Sequence, residues 1–180
     1  MRVIKDNIWN YGENCIICIP TNGFVKKNGC GVMGRGLAKE CLNIFPGIDK
    51  KLGEGIITNG NIPFELAENK IYSFPVKPNS DFIFEEKDYD KIISGHRNKI
   101  QNMSRYYNSV TTIPGWMCKA RLDIIESSAK KLLELFIEKN LQKFFVLPKV
   151  GCGNGELNWM DVEPILDKYL NDIAIIVDRN

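Results

Sequence analysis

Two glycine-rich stretches limit what this chain can fold into more than any other feature of its 180 residues. The first reads PTNGFVKKNGCGVMGRGLAK (residues 20–39) and the second reads PKVGCGNGELNW (residues 148–159). Each follows a short apolar run and leads into a helical pattern. Glycine lets the backbone approach a ligand closely, and a helix N-terminus offers unpaired N–H groups that suit a diphosphate. Two such loops at the carboxyl ends of strands in one sheet are typical of a ligand crevice at a topological switch point.

Short runs rich in Ile, Val and Phe predict strands that are buried on both faces. They span residues 2–5, 15–20, 71–76, 144–148 and 173–177, with a weaker strand at Ile56–Ile57. Helical spacing joins Leu37 to Phe45 and Leu122 to Phe136, and we expect Asn158 to cap a third helix. Strands that alternate with helices predict a layered α/β fold with parallel strand pairs.

Residues 78–115 do not follow this alternation, because they mix charged, polar and aromatic residues without a sustained period. We interpret them as an insertion or excursion beside the core, and long loops of this kind are usually functional or mobile. Their aromatic side chains can stack on bases, although packing against the core is the favoured interpretation. These side chains are Phe82, Phe84, Tyr89, Tyr106, Tyr107 and Trp116.

Composition favours one domain over residues 1–180, since 44% hydrophobic residues suffice for one sizeable core. The net charge of +2 provides no strong field, so we expect no strong binding of duplex nucleic acid. No segment approaches the ~18 consecutive apolar residues of a membrane span, and MRVIKDNIWN lacks the order of a signal peptide. We therefore expect a soluble, cytoplasmic protein with no membrane partner.

The cysteines and the single histidine argue against a metal site. Cys15 and Cys18 form a CxxC pair, but their odd spacing within a strand points them to opposite faces. His96 lies in the polar stretch SGHRNK, which is typical of a loop, and one histidine is too few for most catalytic zinc sites. We expect no metal and no cofactor, so any chemistry must depend on lysine, carboxylates, backbone amides and water.

Two nucleotide-binding motifs can be set aside. Residues 29–34, GCGVMG, satisfy the dinucleotide fingerprint GxGxxG. In dinucleotide-binding proteins that fingerprint begins at the end of a strand. An acidic residue about 20 positions later ends the next strand. Here residues 22–27 intervene, and Glu54 precedes Ile56 rather than ending a strand. The phosphate-binding pattern GxxxxGK[ST] is absent.

The glycine loops resemble those of the macrodomain family, the ADP-ribose-binding modules. IPTNGFVKKNGCGVMGRGLA is similar to that family's first ligand loop, and VLPKVGCGNGELNW is similar to its second. YSFPVK, PGWMCKA and LNDIAIIV resemble a bacterial and phage-type subgroup that is related to macrodomains removing ADP-ribose from nucleic acid or protein. The likeness covers nearly the whole chain outside residues 78–113. It implies a three-layer α/β/α fold with a central mixed, largely parallel sheet and an insertion near 78–115.

The resemblance also implies a binding site. Asp6, Asn7 and Ile8 would hold the adenine, although Asn7 stands where the family commonly has Asp. Thr21 and Asn22 would lie by the distal ribose, where an amide can both donate to and accept from hydroxyls. Asn22 and Asn154 also suit ordinary turns. The first loop would wrap the distal ribose and phosphates with Gly29, Cys30, Gly31, Val32, Met33, Gly34 and Gly36. The second would close over the diphosphate with Val150, Gly151, Cys152, Gly153, Asn154, Gly155 and Glu156.

Three functions are compatible with this resemblance. The first function is a hydrolase, in which Lys77 would attack the anomeric carbon of the distal ribose. This attack requires a neutral amine. Alternatively, Asn22 and the first loop would hold a water for substrate-assisted attack. Some relatives pair that lysine with an aspartate in the second loop, where this chain has Gly155 and Glu156, and Arg121 stands near a position where relatives often carry an acid. The second function is a non-catalytic ADP-ribose reader or scavenger. The third is a phosphatase acting on ADP-ribose-1''-phosphate. The sequence leaves the modified substrate, its linkage and the oligomeric state open.

Overall fold

The computed structural model of the chain describes residues 1–84, 88–95 and 111–178. The strands are β1 (Arg2–Lys5), β2 (Ile16–Asn22), β3 (Glu65–Ala67), β4 (Ile71–Lys77), β5 (Ser80–Ile83), β6 (Thr111–Pro114), β7 (Phe145–Pro148) and β8 (Ala174–Asp178). The α-helices are α1 (Gly36–Ile44), α2 (Ile48–Asn59), α3 (Tyr89–Ile92), α4 (Leu122–Glu138) and α5 (Trp159–Leu170). Short 3-10 helices span Ile8–Tyr11 and Gly115–Met117.

The main sheet is mixed and largely parallel, as the sequence predicted. Its strand order is β1-β8-β7-β2-β4-β3, and β3 pairs antiparallel with β4 while the other neighbours are parallel. The next parallel strand after β2 is β4, which lies next to β2 in the direction of the β3 edge. The next strand after β7 is β8, which lies next to β7 in the opposite direction, toward the β1 edge. The neighbouring strands β2 and β7 therefore form a topological switch point, where α/β sheets open a crevice.

Helices cover both faces of this sheet and give it three layers. On one face, Ile17 and Ile19 of β2 pack with α1 and α2; on the other, Ile16 and Cys18 pack with α4 and α5. Alternate residues of a buried strand thus enter different cores. Cys15 lies in the first core and Cys18 in the second, which confirms that this pair faces apart.

A smaller unit is built on part of the predicted excursion. Strands β5 and β6 form an antiparallel pair, and their residues Ile83 and Ile113 share a small core with Ile93, Met117 and Cys118. Much of the excursion, with His96, Tyr106, Tyr107 and the Tyr89 side chain, lies outside the described residues.

Three expectations from the sequence are wrong. Strand β1 was expected to be buried on both faces, but it lies at the edge of the sheet and is mostly exposed. Ile56 and Ile57 belong to helix α2 and not to a strand, because Ile48, Leu52 and Ile56 recur every four residues and share its buried face. Gly53 and Gly55 weaken the helical signal there. Phe82 and Phe84 do not pack into the core, since they are 46% and 71% exposed and contact each other instead.

Other local expectations are confirmed. The side chain of Asn158 accepts a hydrogen bond from the Met160 N–H at 3.1 Å and caps α5. Within the described ranges, no helix combines the length and apolar character needed to cross a membrane.

A substitution at Gly53 tests how closely α2 packs against the first glycine loop. A Cβ at Gly53 would overlap the Gly29 carbonyl oxygen, so the helix and the loop would have to separate. Alanine is a better helix former than glycine by about 1 kcal/mol, yet we expect Gly53→Ala to lower the free energy of unfolding by about 1–3 kcal/mol, the usual cost of overpacking. Urea denaturation measures this change. Thr58→Ala, an exposed substitution in the same helix, should leave stability nearly unchanged, and a stabilised Gly53→Ala would contradict the close packing.

Candidate functional site

A cleft of about 870 Å³ lies at the carboxyl ends of β2, β4, β7 and β8. The first glycine loop (residues 23–35) and the second glycine loop (residues 149–158) border it. Many predicted site residues line this cleft: Thr21, Asn22, Val32, Gly34, Gly36, Lys77, Gly151, Cys152, Gly153, Asn154 and Gly155. The remaining predicted residues do not line it: Asp6, Asn7, Ile8, Gly29, Cys30, Gly31, Met33, Val150 and Glu156.

Four predicted glycines in the first loop and at the start of α1 divide into two groups. Gly29 has a φ of 82° and donates to the Lys26 carbonyl at 2.9 Å, so it serves a tight turn. Gly31 donates to the Asp49 carbonyl at 2.7 Å, and a Cβ there would lie 2.7 Å from Leu52. These two glycines pack the loop against α2. Only Gly34 and Gly36 reach the cleft, and a Cβ at Gly34 would meet nothing within 4 Å.

The N-terminus of α1 also opens into the cleft. Its cap residue, Arg35, makes no side-chain capping hydrogen bond. Within the described residues, the N–H groups of Gly36, Leu37 and Ala38 have no protein acceptor. All three residues line the cleft, so the positive end of the helix dipole faces it.

The second glycine loop offers a matching set of donors. Gly151 and Gly155 are packed closely against Ala120, where a Cβ would be 3.3 and 2.6 Å away, whereas a Cβ at Gly153 would meet nothing within 4 Å. The N–H groups of Gly153, Asn154 and Gly155 have no acceptor in the part of the chain that is described. The second loop meets the start of α1, where a Cβ on Gly36 would lie 3.7 Å from the side-chain nitrogen of Asn154. Residues with unpaired backbone donors, from α1 and from the second loop, therefore line one space.

Thr21 and Asn22 end β2 at the floor of the cleft. The Asn22 amide donates to the Val32 carbonyl and accepts from the Phe24 N–H, both at 3.1 Å, so it holds the first loop in shape. The Thr21 hydroxyl is buried and has no partner in the described structure.

Lys77 ends β4 and is buried, with 8% of its surface exposed. Its Nζ donates to the Asn154 carbonyl at 2.9 Å and to the Ser94 hydroxyl at 3.4 Å. Burial lowers the pKa of Lys77 from 10.5 to about 8, and the charge of Arg35 acts in the same direction. Cys118 and Glu156 oppose this shift in pKa. A substantial fraction of this amine is therefore neutral near pH 8, as a nucleophile requires.

The cleft contains charged residues that the sequence interpretation missed. Lys26, Arg35, Lys149 and Asp178 all line it. Lys149 Nζ lies 2.7 Å from Asp178 Oδ2 and 5.7 Å from the centre of the Trp159 ring. Asp178 is the last residue of β8 and Lys149 follows β7, so a search for polar residues at every strand end would have found both. Trp116 lines the cleft as well.

Several predicted ligand residues have structural contacts elsewhere. The Asp6 carboxylate accepts hydrogen bonds from the Tyr11 hydroxyl and the Asn7 N–H, which hold its pKa below the usual value. Asn7 caps the 3-10 helix that follows β1, and Ile8 is fully buried in the core. The Glu156 carboxylate pairs with Lys119 Nζ at 3.2 Å. Adenine contacts from residues 6–8 stay a prediction.

The described residues hold no group of three or more His, Cys, Asp and Glu placed to bind a metal ion. The cysteines are free thiols. Burial raises the pKa of Cys152, the thiol that lines the cleft, which favours its protonated form.

No family model matches this chain. It is 26% identical, over 153 residues, to a curated protein of Thermosipho africanus, the "DNA ADP-ribosyl transferase-DNA ADP-ribosyl glycohydrolase fusion protein". That match takes in 85% of this chain and 36% of the relative's length.

Solved structures decide the fold. The macrodomain of Thermus aquaticus DarG aligns with 99% of this chain and 97% of its own, at 17% identity and a TM-score of 0.63. The chain has a macrodomain fold. The macrodomain of Mycobacterium tuberculosis DarG aligns with the same shares at 16% identity and a TM-score of 0.64. Thermosipho africanus DarTG in complex with ADP-ribose aligns with 99% of this chain and 41% of its own, at 17% identity and a TM-score of 0.63.

The buried amine of Lys77 should make stability depend on pH. Below pH 8 the folded state must hold the Lys77 ammonium in a buried place, and this cost is present in full. Between pH 8 and 10.5 the unfolded chain keeps a proton that the folded state releases, so folding gains stability as pH rises. Relative to Lys77→Met, the wild type should gain about 3 kcal/mol of unfolding free energy across this window. Urea denaturation at a series of pH values measures the difference, and a constant difference would contradict the lowered pKa.

Proposed function

We propose that this macrodomain binds ADP-ribose, or an ADP-ribosyl group carried by a larger molecule, and hydrolyses the bond at the distal ribose. The observation that carries the proposal is that residues of α1 and of the second glycine loop with unpaired N–H groups line one cleft. A diphosphate offers several acceptor oxygens and negative charge, which these donors and the helix dipole favour. The cleft volume of about 870 Å³ falls within the usual range for small-molecule sites.

Lys77 gives the ligand a direction. The amine lies on the β4 side of the cleft, and Asp178 lies on the β8 side, with the two loops between them. With the diphosphate on the loop amides, the distal ribose would sit toward Lys77 and the adenosine toward β8.

The chemistry follows from a neutral, buried amine. The Lys77 nitrogen would attack the anomeric carbon, the bond from that carbon to the modified group would break, and a proton would pass from the amine to the leaving group. Water would then attack the same carbon, release ADP-ribose and return the amine to its starting state. A water held by Asn22 and the first loop is the alternative nucleophile, and it would not require Lys77 to form a bond.

The name of the curated relative directs the choice of substrate. That protein is called a DNA ADP-ribosyl glycohydrolase, so ADP-ribosylated DNA is the first substrate to test. Lys26 and Arg35 line the cleft and would attract a strand that carries the modification. An ADP-ribosylated protein and ADP-ribose-1''-phosphate are the other two substrates to test.

Two cleft glycines test binding without disturbing the fold. A methyl group at Gly34 or Gly153 meets no protein atom within 4 Å, so it would project into space that the ligand needs. We expect Gly34→Ala and Gly153→Ala to weaken ADP-ribose binding about tenfold or more, equivalent to about 1.4 kcal/mol, at unchanged melting temperature. Titration calorimetry measures the affinity.

Gly12→Ala is the matched control, since its methyl group would make ordinary contacts away from the cleft. Its affinity for ADP-ribose should equal that of the wild type. If the wild type gives neither heat nor a thermal shift with millimolar ADP-ribose, the proposed binding is wrong.

Lys77 tests the chemical step. We expect Lys77→Met to reduce release of ADP-ribose from modified DNA by about a hundredfold or more while retaining binding of free ADP-ribose. In the wild type, the rate should rise with pH up to about 8 as the amine loses its proton. Chromatography of the products follows the reaction, and Lys139→Met, a lysine that contacts Tyr72 outside the cleft, serves as control.

Other results would point to the alternatives. Tight binding of ADP-ribose with no turnover of any substrate would make the protein a reader. Phosphate release from ADP-ribose-1''-phosphate that survives Lys77→Met would favour the phosphatase. Release of ADP-ribose that survives the same change would leave the water mechanism.

A further inference from the structure

We propose that Ser94 is a positioning residue that, together with the Asn154 carbonyl, turns the lone pair of the Lys77 amine toward the cleft. This inference rests on the proposed function, because it assigns a task to a residue behind the proposed nucleophile. Ser94 belongs to the 78–115 excursion, and it does not line the cleft. The sequence offered no reason to select it.

The argument begins with the valences of a neutral amine. Such a nitrogen carries two N–H donors and one lone pair. Two acceptors face Lys77 Nζ, the Asn154 carbonyl at 2.9 Å and the Ser94 hydroxyl at 3.4 Å. When both N–H groups are directed at these acceptors, one direction is left for the lone pair. Because Lys77 lines the cleft, we infer that this direction is toward the cleft.

Ser94 is set up to accept this hydrogen bond. Its own hydroxyl donates to the Met117 carbonyl at 3.3 Å, which leaves the oxygen lone pairs for the amine. The side chain is buried, with 3% exposed, so water does not compete freely for the oxygen. The result is a one-way chain of donors from Lys77 through Ser94 to Met117.

The segment that carries Ser94 is fixed to the rest of the fold. The Ser94 N–H donates to the Met117 carbonyl at 3.0 Å, and the Lys119 N–H donates to the Ile92 carbonyl at 2.7 Å. Ile93 forms a β-bridge with Cys118 and packs into the small core of the β5–β6 unit. The hydroxyl is therefore held in place by the backbone contacts of Ser94 and of the two residues that precede it.

Removing the hydroxyl should change the amine in two ways that a loss of stability alone would not produce. An acceptor favours the ammonium over the amine, so Ser94→Ala should lower the pKa of Lys77 further. The charged and titratable groups around the amine, Arg35, Cys118 and Glu156, stay in place in this variant. The second N–H loses its partner, so the lone pair is no longer held, and misorientation of this kind costs about tenfold to a hundredfold in rate.

The experiment measures both quantities in the full chain. The pKa of Lys77 is obtained from the pH dependence of its acylation by acetic anhydride, read by mass spectrometry, and kcat and KM are obtained on ADP-ribosylated DNA across pH. In Ser94→Ala we expect a lower Lys77 pKa, a pH–rate curve whose inflection moves to lower pH, a plateau of kcat reduced tenfold or more, and an unchanged KM. Ser94→Thr retains a hydroxyl and should restore the pKa and the plateau.

Ser128→Ala is the matched control. Ser128 is another buried serine; it donates to the Pro75 carbonyl of β4 at 2.8 Å and does not contact the Lys77 amine. It should change neither the pKa of Lys77 nor the inflection. If Ser94→Ala leaves the pKa of Lys77 unchanged, or if Ser128→Ala shifts it equally, the positioning role is wrong whether or not turnover occurs. If the wild type turns over no substrate, the proposed hydrolysis fails, and the acylation data still decide whether Ser94 holds the amine.

Discussion

Strands β2 and β7 are parallel, hydrogen-bonded neighbours whose following helices pack on opposite faces of the sheet. The loops that lead to those helices must therefore diverge from adjacent strand ends, and a crevice opens between them. Everything at the site depends on this arrangement. The free N–H groups of α1 and of the second glycine loop converge because their strands are neighbours, and Lys77 joins them because β4 lies on the other side of β2.

Prolines reinforce the opening at this edge. Pro20 lies near the carboxyl end of β2, Pro75 near that of β4 and Pro148 at that of β7, and these strands are neighbours in the sheet. None of the three prolines can donate an N–H to the ladder. Beyond Pro20 the pairing of β2 with β4 also shifts register, between Thr21 and Asn22. The regular ladder thus ends where the cleft begins, and the unpartnered Thr21 hydroxyl lies at that boundary.

How far the sequence predicted the molecule can be judged residue by residue. Continuous apolar runs predict strands, so β1, β2, β4, β7 and β8 were found, although β1 is mostly exposed at the edge of the sheet. Gly53 and Gly55 concealed the helical period of α2. Glycines look alike in a sequence, so Gly29 and Gly31, which pack on α2, could not be told from Gly34 and Gly36, which face the cleft. Lys77 was selected because of the resemblance to macrodomains. Asp178 was overlooked although it ends a strand, whereas Ser94 could not be selected, because a contact between distant segments makes it relevant.

Asn154 contributes both to the contact with Lys77 and to the set of donors in the second loop. Its carbonyl accepts a hydrogen bond from Lys77, while its N–H has no acceptor within the described residues and belongs to the donor set of the second loop. A rotation of this short segment would move both groups together. A substitution that changes the backbone of this segment would therefore alter a contact of the lysine and a donor of the cleft at the same time.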